Sequence, residues 1–270
     1  MPELPEVETT RRGIQPWIEG RVVEDVIVRN RALRWPVPRT LERSLRGQRI
    51  VAVERRAKYL LLRTDAGTAI VHLGMSGSLR IVDCGTPPEK HDHVDVIFED
   101  GAVLRLRDPR RFGSFLWTAR DPARHKLIAD LGPEPLDELT PEHLYRKSRG
   151  RRAPLRNFLL DGRVVVGVGN IYANEAAHRA GIHPARAAGR VSEARYRKLV
   201  TEIRSVLQAA IAKGGTTLRD FASAEGSPGY FSIELEVYGR EGDECRRCSD
   251  TIVRKAVGGR SMFYCPGCQK

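Results

Sequence analysis

Short apolar runs rich in β-branched residues fill the chain between about Arg21 and Thr118. Beyond Pro141 the apolar positions recur instead at helical spacing. The early runs are "RVVEDVIV", "RIVAVERRAKYLLLRT", "TAIVHLG", "HVDVIF" and "AVLRLRD", with turn signals such as Asp65-Ala66-Gly67 and Asp100-Gly101 between them. Many strands without intervening helices predict an antiparallel sandwich or barrel. The stretch "DCGTPPEKHD" is too polar and proline-rich for a strand and reads as a surface loop. A helix opens the chain in "MPELPEVETT": Pro5 suits its first turn, and Glu6 and Glu8 complement the positive end of its dipole. Pro2 and Glu3 lie ahead of that helix, which does not account for them.

The segment from Asp121 to Pro141, rich in Pro, Asp and Glu, reads as an interdomain connection. In "SEARYRKLVTEIRSVLQAAIAKGG" the residues Tyr196, Leu199, Val200, Ile203, Val206, Leu207, Ala210 and Ile211 share one helical face. Ser192 is placed to cap that helix and Gly214 to stop it. Two shorter helices flank "GVGN", one ending near Asp161 and one over about Asn170–Ala180. "GGTTLRDFASAEGSPGYF" is loop-like, and no internal repeat is visible. The expected class is α+β, divided into residues 1–130, 131–235 and 236–270.

Composition changes this picture in two ways. The 46 Lys and Arg against 34 Asp and Glu give a formal charge of +12, with Arg the commoner cation, which suits phosphate recognition. A solvated basic enzyme surface would produce the same charge. No apolar run has membrane-spanning length, and the acidic start does not resemble a signal peptide, so a cytoplasmic protein is expected. The second change comes from the cysteines. Cys84 stands alone and reads as an ordinary thiol. "CRRC" (Cys245, Cys248) and "CPGC" (Cys265, Cys268), sixteen residues apart, have the two-knuckle spacing of a tetrahedral zinc site. Two disulfides are the competing reading, disfavoured in an intracellular chain. Four sulfur ligands would close the coordination shell, so the one zinc is expected to be structural.

Basic residues cluster around further motifs. Arg146, Lys147, Arg149, Arg151, Arg152 and Arg156 precede "GVGN", where Gly167, Gly169 and Asn170 form a glycine-containing turn opening a helix. That arrangement reads as a nucleic-acid backbone clamp, since no strand-turn-helix unit with an acidic ribose ligand follows. The cysteine segment adds Arg246, Arg247, Arg254, Lys255 and Arg260. "HLGMSGSLR" sets Met75 between glycines, and "DPRRFGSF" puts Arg110, Arg111 and Phe112 just after a strand. An apolar wedge with an Arg on a loop tip is what entering a base stack requires. Each stretch alone reads first as a packed hairpin end.

Together with "MPELPEVETTRRGI", "RRAKYLL", "PPEKHDHVD", "GVGNIYANE", "GIHP", "GGTTLRDF", "PGYF" with "YGREG", and "CRRC…GRSMFYCPGC", these motifs resemble the bacterial formamidopyrimidine-DNA glycosylase family from residue 2 to the last cysteine. The resemblance implies an N-terminal β-sandwich with a leading helix, then a helical domain with a helix–two-turn–helix element and a zinc-finger β-hairpin. It implies excision of oxidised purines from double-stranded DNA, followed by strand cleavage, by a monomer that meets the nucleoid on DNA. After removal of Met1, Pro2 would be the nucleophile, Glu3 the acid/base, and Lys58 the catalytic lysine. Arg260 joins the catalytic positions and grips phosphate with Asn170. His91, Arg110 and Arg152 match DNA contacts, and Met75, Arg110 and Phe112 match the triad that fills the gap left by an everted nucleotide. A loop over about Thr216–Tyr230 would close on the everted base. Arg156 departs from the lysine that many members carry, which puts that contact in doubt. Two other readings stay open: an endonuclease VIII-like enzyme for oxidised pyrimidines, and a zinc-bearing nucleic-acid-binding protein without catalysis.

Overall fold

The computed structural model describes residues 2–214 and 235–270; the loop expected over Thr216–Tyr230 lies outside them. The described chain forms two compact units, 2–129 with 213–214, and 130–212 with 235–270.

In the first unit a helix α1 (Leu4–Ile18) precedes β1 (Val23–Val28), the short α2 (Leu41–Leu45) and β2 (Ala52–Arg56). Then come β3 (Tyr59–Thr64), β4 (Gly67–His72), β5 (Ser78–Asp83), β6 (Asp92–Phe98), β7 (Ala102–Arg107) and β8 (Ser114–Thr118). Two four-stranded antiparallel sheets result, ordered β1-β6-β7-β5 and β2-β3-β4-β8. Val26, Val94, Val96, Leu104 and Leu106 of the first sheet share one buried cluster with Leu60, Leu62, Val71 and Phe115 of the second. Ile14 and Ile18 of α1 complete that core. This is the sandwich expected from many strands without intervening helices, because each sheet must bury one apolar face.

Three local details differ from the pattern. The run at residues 49–64 is two strands, turned at Ala57-Lys58, where Ala57 takes a left-handed φ of 56°. β5 and β8 emerge from the stretches read as hairpin ends. β4 is buried at four consecutive positions, Thr68–Val71, rather than at alternate ones. Leu61, Ile70 and Leu116 lie side by side across β3, β4 and β8 as a second buried row, so residues on both faces of those strands are buried and the alternation is lost.

The second unit holds α3 (Pro141–Ser148), α4 (Leu155–Leu159), α5 (Asn170–Ala180), α6 (Glu193–Ala212) and the antiparallel hairpin β9 (Val253–Val257) and β10 (Arg260–Tyr264). α6 buries the predicted face from Tyr196 to Ala210. Thr140 caps α3 by accepting the His143 N–H, and Gly181 ends α5 at a φ of 70°. Among the described residues no helix is long and apolar enough to cross a membrane.

Candidate functional site

Pro2 and Glu3 are both buried, Glu3 standing at the N-cap of α1. The Glu6 carboxylate takes the Glu3 backbone N–H at 2.8 Å, so this acidic residue fixes the entry of the chain into the helix rather than decorating its surface. Glu8, also buried, accepts hydrogen bonds from Arg11 Nε and Nη2, Arg12 Nε and Arg55 Nε at 2.8–3.2 Å. Burial alone would push its carboxyl up, but the bonds from Arg11 and Arg12 and the charges of Arg11 and Arg55 outweigh that and hold it below the usual carboxylate range. Arg55 then donates to the Ala57 carbonyl at 2.9 Å, bracing the left-handed turn that carries Lys58. Through Glu8 and Arg55, the helix that follows Pro2 and Glu3 is tied to the turn presenting Lys58. Sequence reading treated Glu8 as a helix-dipole partner and missed this brace, since Arg55 lies 47 positions away.

Met75, Arg110 and Phe112 occupy the β4–β5 and β7–β8 connections, with Met75 37% and Phe112 41% exposed. The Arg110 guanidinium sits 4.9 Å from the Phe112 ring centre. Beneath them Asp108 is wholly buried, at 0% exposure. Its Oδ1 accepts the Ser76 hydroxyl at 2.9 Å and its Oδ2 the Gly113 N–H at 2.7 Å. Ser76 Oγ in turn accepts the Arg110 N–H at 3.2 Å. The Asp108 N–H donates to the His91 carbonyl at 3.0 Å, which draws the predicted DNA-contact histidine to the same place. Nearby, His72 accepts the Gly74 N–H on Nδ1 at 2.9 Å. Burial, with the charges of Lys58 and Arg34, lowers the His72 pKa to about 4, so it stays neutral at physiological pH.

In the second unit Asn170 opens α5, and its amide donates to the Ser261 carbonyl at 2.9 Å. Arg156 is 1% exposed and forks to Asn170 Oδ1 at 3.1 Å and to the Val257 carbonyl at 2.7 Å. Burial, with the charge of Arg260, pulls its pKa below the usual arginine value. The departure from lysine therefore serves a two-pronged bond that one ammonium would make less well. It couples α4 and Asn170 to the β9–β10 turn, next to exposed Arg260. Arg152 is exposed on the connection between α3 and α4. α5 also sends Asn174 Oδ1 to the Phe263 N–H at 3.0 Å. The buried Glu175 carboxylate accepts the N–H groups of Glu236, Val237 and Tyr238 at 2.8–3.0 Å.

The Sγ atoms of Cys245, Cys248, Cys265 and Cys268 all lie within 4.8 Å of one another. Pairs at 3.2, 3.4 and 3.7 Å are far too long for disulfides. They approach the roughly 3.8 Å edge of a tetrahedron with about 2.3 Å metal–sulfur bonds, so the donor set fits one structural zinc. Backbone N–H groups of Arg247 and Cys268 point at Cys245 and Cys265 sulfur at 3.5 Å. Buried His178 of α5 lies 3.6 Å from Cys245 Sγ and 2.9 Å from a Glu236 carboxylate oxygen. Such contacts orient the ligands and moderate thiolate charge.

Comparison with known proteins gives three successive matches. Residues 1–115 match the formamidopyrimidine-DNA glycosylase N-terminal domain, 131–222 the H2TH domain of the same enzyme, and 242–270 a zinc finger found in FPG and IleRS. The chain is 58% identical to the formamidopyrimidine-DNA glycosylase of Methylococcus capsulatus and 56% to that of Pseudomonas aeruginosa, over 100% of each chain. Among solved structures it is similar to a Lactococcus lactis FPG mutant in complex with a Fapy-dG containing DNA (TM-score 0.92, 33% identity, 100% of both chains). It is also similar to the MutM (FPG) protein of Thermus thermophilus (TM-score 0.88, 37% identity, 99% and 98% of the two chains).

Proposed function

Because the chain belongs to the formamidopyrimidine-DNA glycosylase family of DNA-repair glycosylases, we propose that it excises oxidised purines from duplex DNA and cleaves the strand at the resulting site. The observation that carries this reading is Pro2 followed by Glu3 at the N-terminal end of α1, in a chain that matches the family from end to end.

With Met1 removed, Pro2 is a secondary amine with a lone pair. An α-amino group titrates near about 8, and the positive end of α1 disfavours its ammonium form further. The amine attacks C1′ of the damaged nucleotide, and the glycosidic bond breaks with its electron pair leaving on the base. Glu3 protonates the ring oxygen, the sugar opens, and C1′ becomes an iminium of Pro2. The iminium acidifies C2′, so proton loss there expels the 3′ phosphate. Loss of a further sugar proton expels the 5′ phosphate, and water then releases the sugar fragment. Lys58 meets the phosphate at the lesion.

DNA contacts are assigned within each unit. In the first, Met75, Arg110 and Phe112 fill the gap left by the everted nucleotide, with His91 at the backbone. In the second, Asn170, Arg260 and Arg152 hold flanking phosphates. The zinc bound by the four cysteines keeps the β9–β10 hairpin in shape to present Arg260 and takes no part in the chemistry. The charge of +12 supports an anionic partner.

Borohydride trapping on a duplex with one 8-oxoguanine opposite cytosine, followed by peptide mapping, tests the reading. The expected result is a covalent adduct on an N-terminal Pro2, much weakened in Pro2→Gly, which still binds the duplex. No adduct from protein lacking Met1, with binding intact, would turn the assignment towards a binding protein or a different lesion.

A further inference from the structure

A side chain that pushes between stacked bases must not yield before the stack does, because unstacking costs a few kcal/mol per step. Exposed loop tips usually yield easily. Met75 and Phe112 sit on two separate connections, yet the backbones of those connections touch. A Cβ on Gly74, whose φ is 66°, would lie 2.4 Å from the Phe112 carbonyl carbon, and one on Gly113 would lie 2.6 Å from the His72 carbonyl oxygen. No side chain fits at either crossing. The Asp108 carboxylate bridges the same crossing, one oxygen on each connection, and the Ser76 hydroxyl passes the link to the Arg110 N–H. The Asp108 carbonyl accepts the Arg111 N–H at 3.1 Å and faces buried His93 Nε2 at 2.8 Å. Arg111 itself holds a left-handed φ of 56°, a conformation that needs such support.

We infer that Asp108 is the positioning residue that welds the Met75 and Arg110–Phe112 connections into a single stiff insert, so that the three side chains enter the base stack as one body. The inference rests on the reading that this triad occupies the stack. Asp108 does not touch DNA; it acts through the residues it holds. Losing it leaves a buried N–H and a buried hydroxyl without their acceptor and lets the two tips move independently.

The test is stopped-flow fluorescence on a duplex carrying a stable tetrahydrofuran abasic analogue with 2-aminopurine beside it, so that insertion is seen without chemistry. Phe112→Ala, Asp108→Asn, Ser76→Ala and the double variant Phe112→Ala/Asp108→Asn are compared with wild type. Insertion is expected to slow about ten- to a hundredfold in Asp108→Asn and severalfold in Ser76→Ala, while initial duplex binding changes less than about twofold. The double variant should be no more than about twofold slower than the slower single variant, because both act through one step. Wild-type insertion in Asp108→Asn alongside slow Phe112→Ala overturns the inference, as do multiplicative effects in the double variant. If Asp108→Asn does not fold, Ser76→Ala decides, and unchanged insertion there overturns it. A Phe112→Ala that inserts normally refutes the triad reading instead.

Discussion

Glu175 holds a chain segment to α5 through hydrogen bonds that a conservative change should break. Its Oε2 accepts the Glu236 N–H at 2.8 Å, and its Oε1 accepts those of Val237 and Tyr238 at 3.0 and 2.8 Å. Glu175→Gln keeps the volume but offers only one acceptor oxygen. If that oxygen retains Val237 and Tyr238, the new NH2 faces the Glu236 N–H, donor against donor. One charge-assisted bond is lost outright, and the two others become neutral. A hydrogen bond to a charged group is worth about 1.5–3 kcal/mol, and a neutral one about 1. The lost bond costs about 1.5–3 kcal/mol and each weakened one about 0.5–2, so the expected cost is about 2.5–7 kcal/mol, or upwards of about 5 °C in Tm for a chain of this size. Val237 shares a buried cluster with Cys245, Ile252, Phe263 and Cys265, so the loosened segment should expose the metal site as well. Thermal denaturation followed by circular dichroism, with a chromogenic chelator reporting zinc release, reads both effects. A Tm within about 1 °C of wild type and unaltered zinc release would refute the claim that this carboxylate anchors the segment.

Four other outcomes are expected. Cys265→Ser should lose zinc and DNA binding together, checked by metal analysis and a filter-binding titration; retained stoichiometric zinc would contradict a four-thiolate site. Arg260→Ala should lower duplex affinity and reduce the slope of log K against log salt by about one, as removal of a single phosphate contact requires, and an unchanged slope would argue against that contact. Arg156→Lys should keep the charge but lose one prong of the Asn170–Val257 bridge, costing about 1–2 kcal/mol in chemical denaturation, whereas no change would show the fork to be dispensable. Because the folded Glu8 carboxyl lies below its ordinary 4.5, its contribution to stability is full above that value and fades as pH falls through the folded one. Glu8→Gln should thus be clearly less stable than wild type at neutral pH and converge with it in acid, and a gap independent of pH in urea melts would exclude the ion cluster as its origin.

The features that local pattern could express were legible in the chain. The strand-rich first half, the buried face of α6, the span of α5 and the two cysteine pairs each declare themselves within a window of a few turns or strands. They do so because backbone hydrogen bonding and ligand spacing impose short periods on side-chain character. The resemblance that pointed to Pro2, Glu3 and Lys58 also lay in contiguous motifs. What tertiary structure alone decided is which polar residues act on one another. Asp108 in "DPRRFG" looks like an ordinary turn aspartate, yet its partner Ser76 is 32 positions away. Glu8 meets Arg55 across 47 positions, Arg156 reaches Val257 across 101, and Glu175 collects three N–H groups more than 60 positions on. No periodicity marks such partners. A buried charge is tolerated only where distant chain segments bring it complementary donors or acceptors, and that condition exists only once the two sheets and the helices have packed.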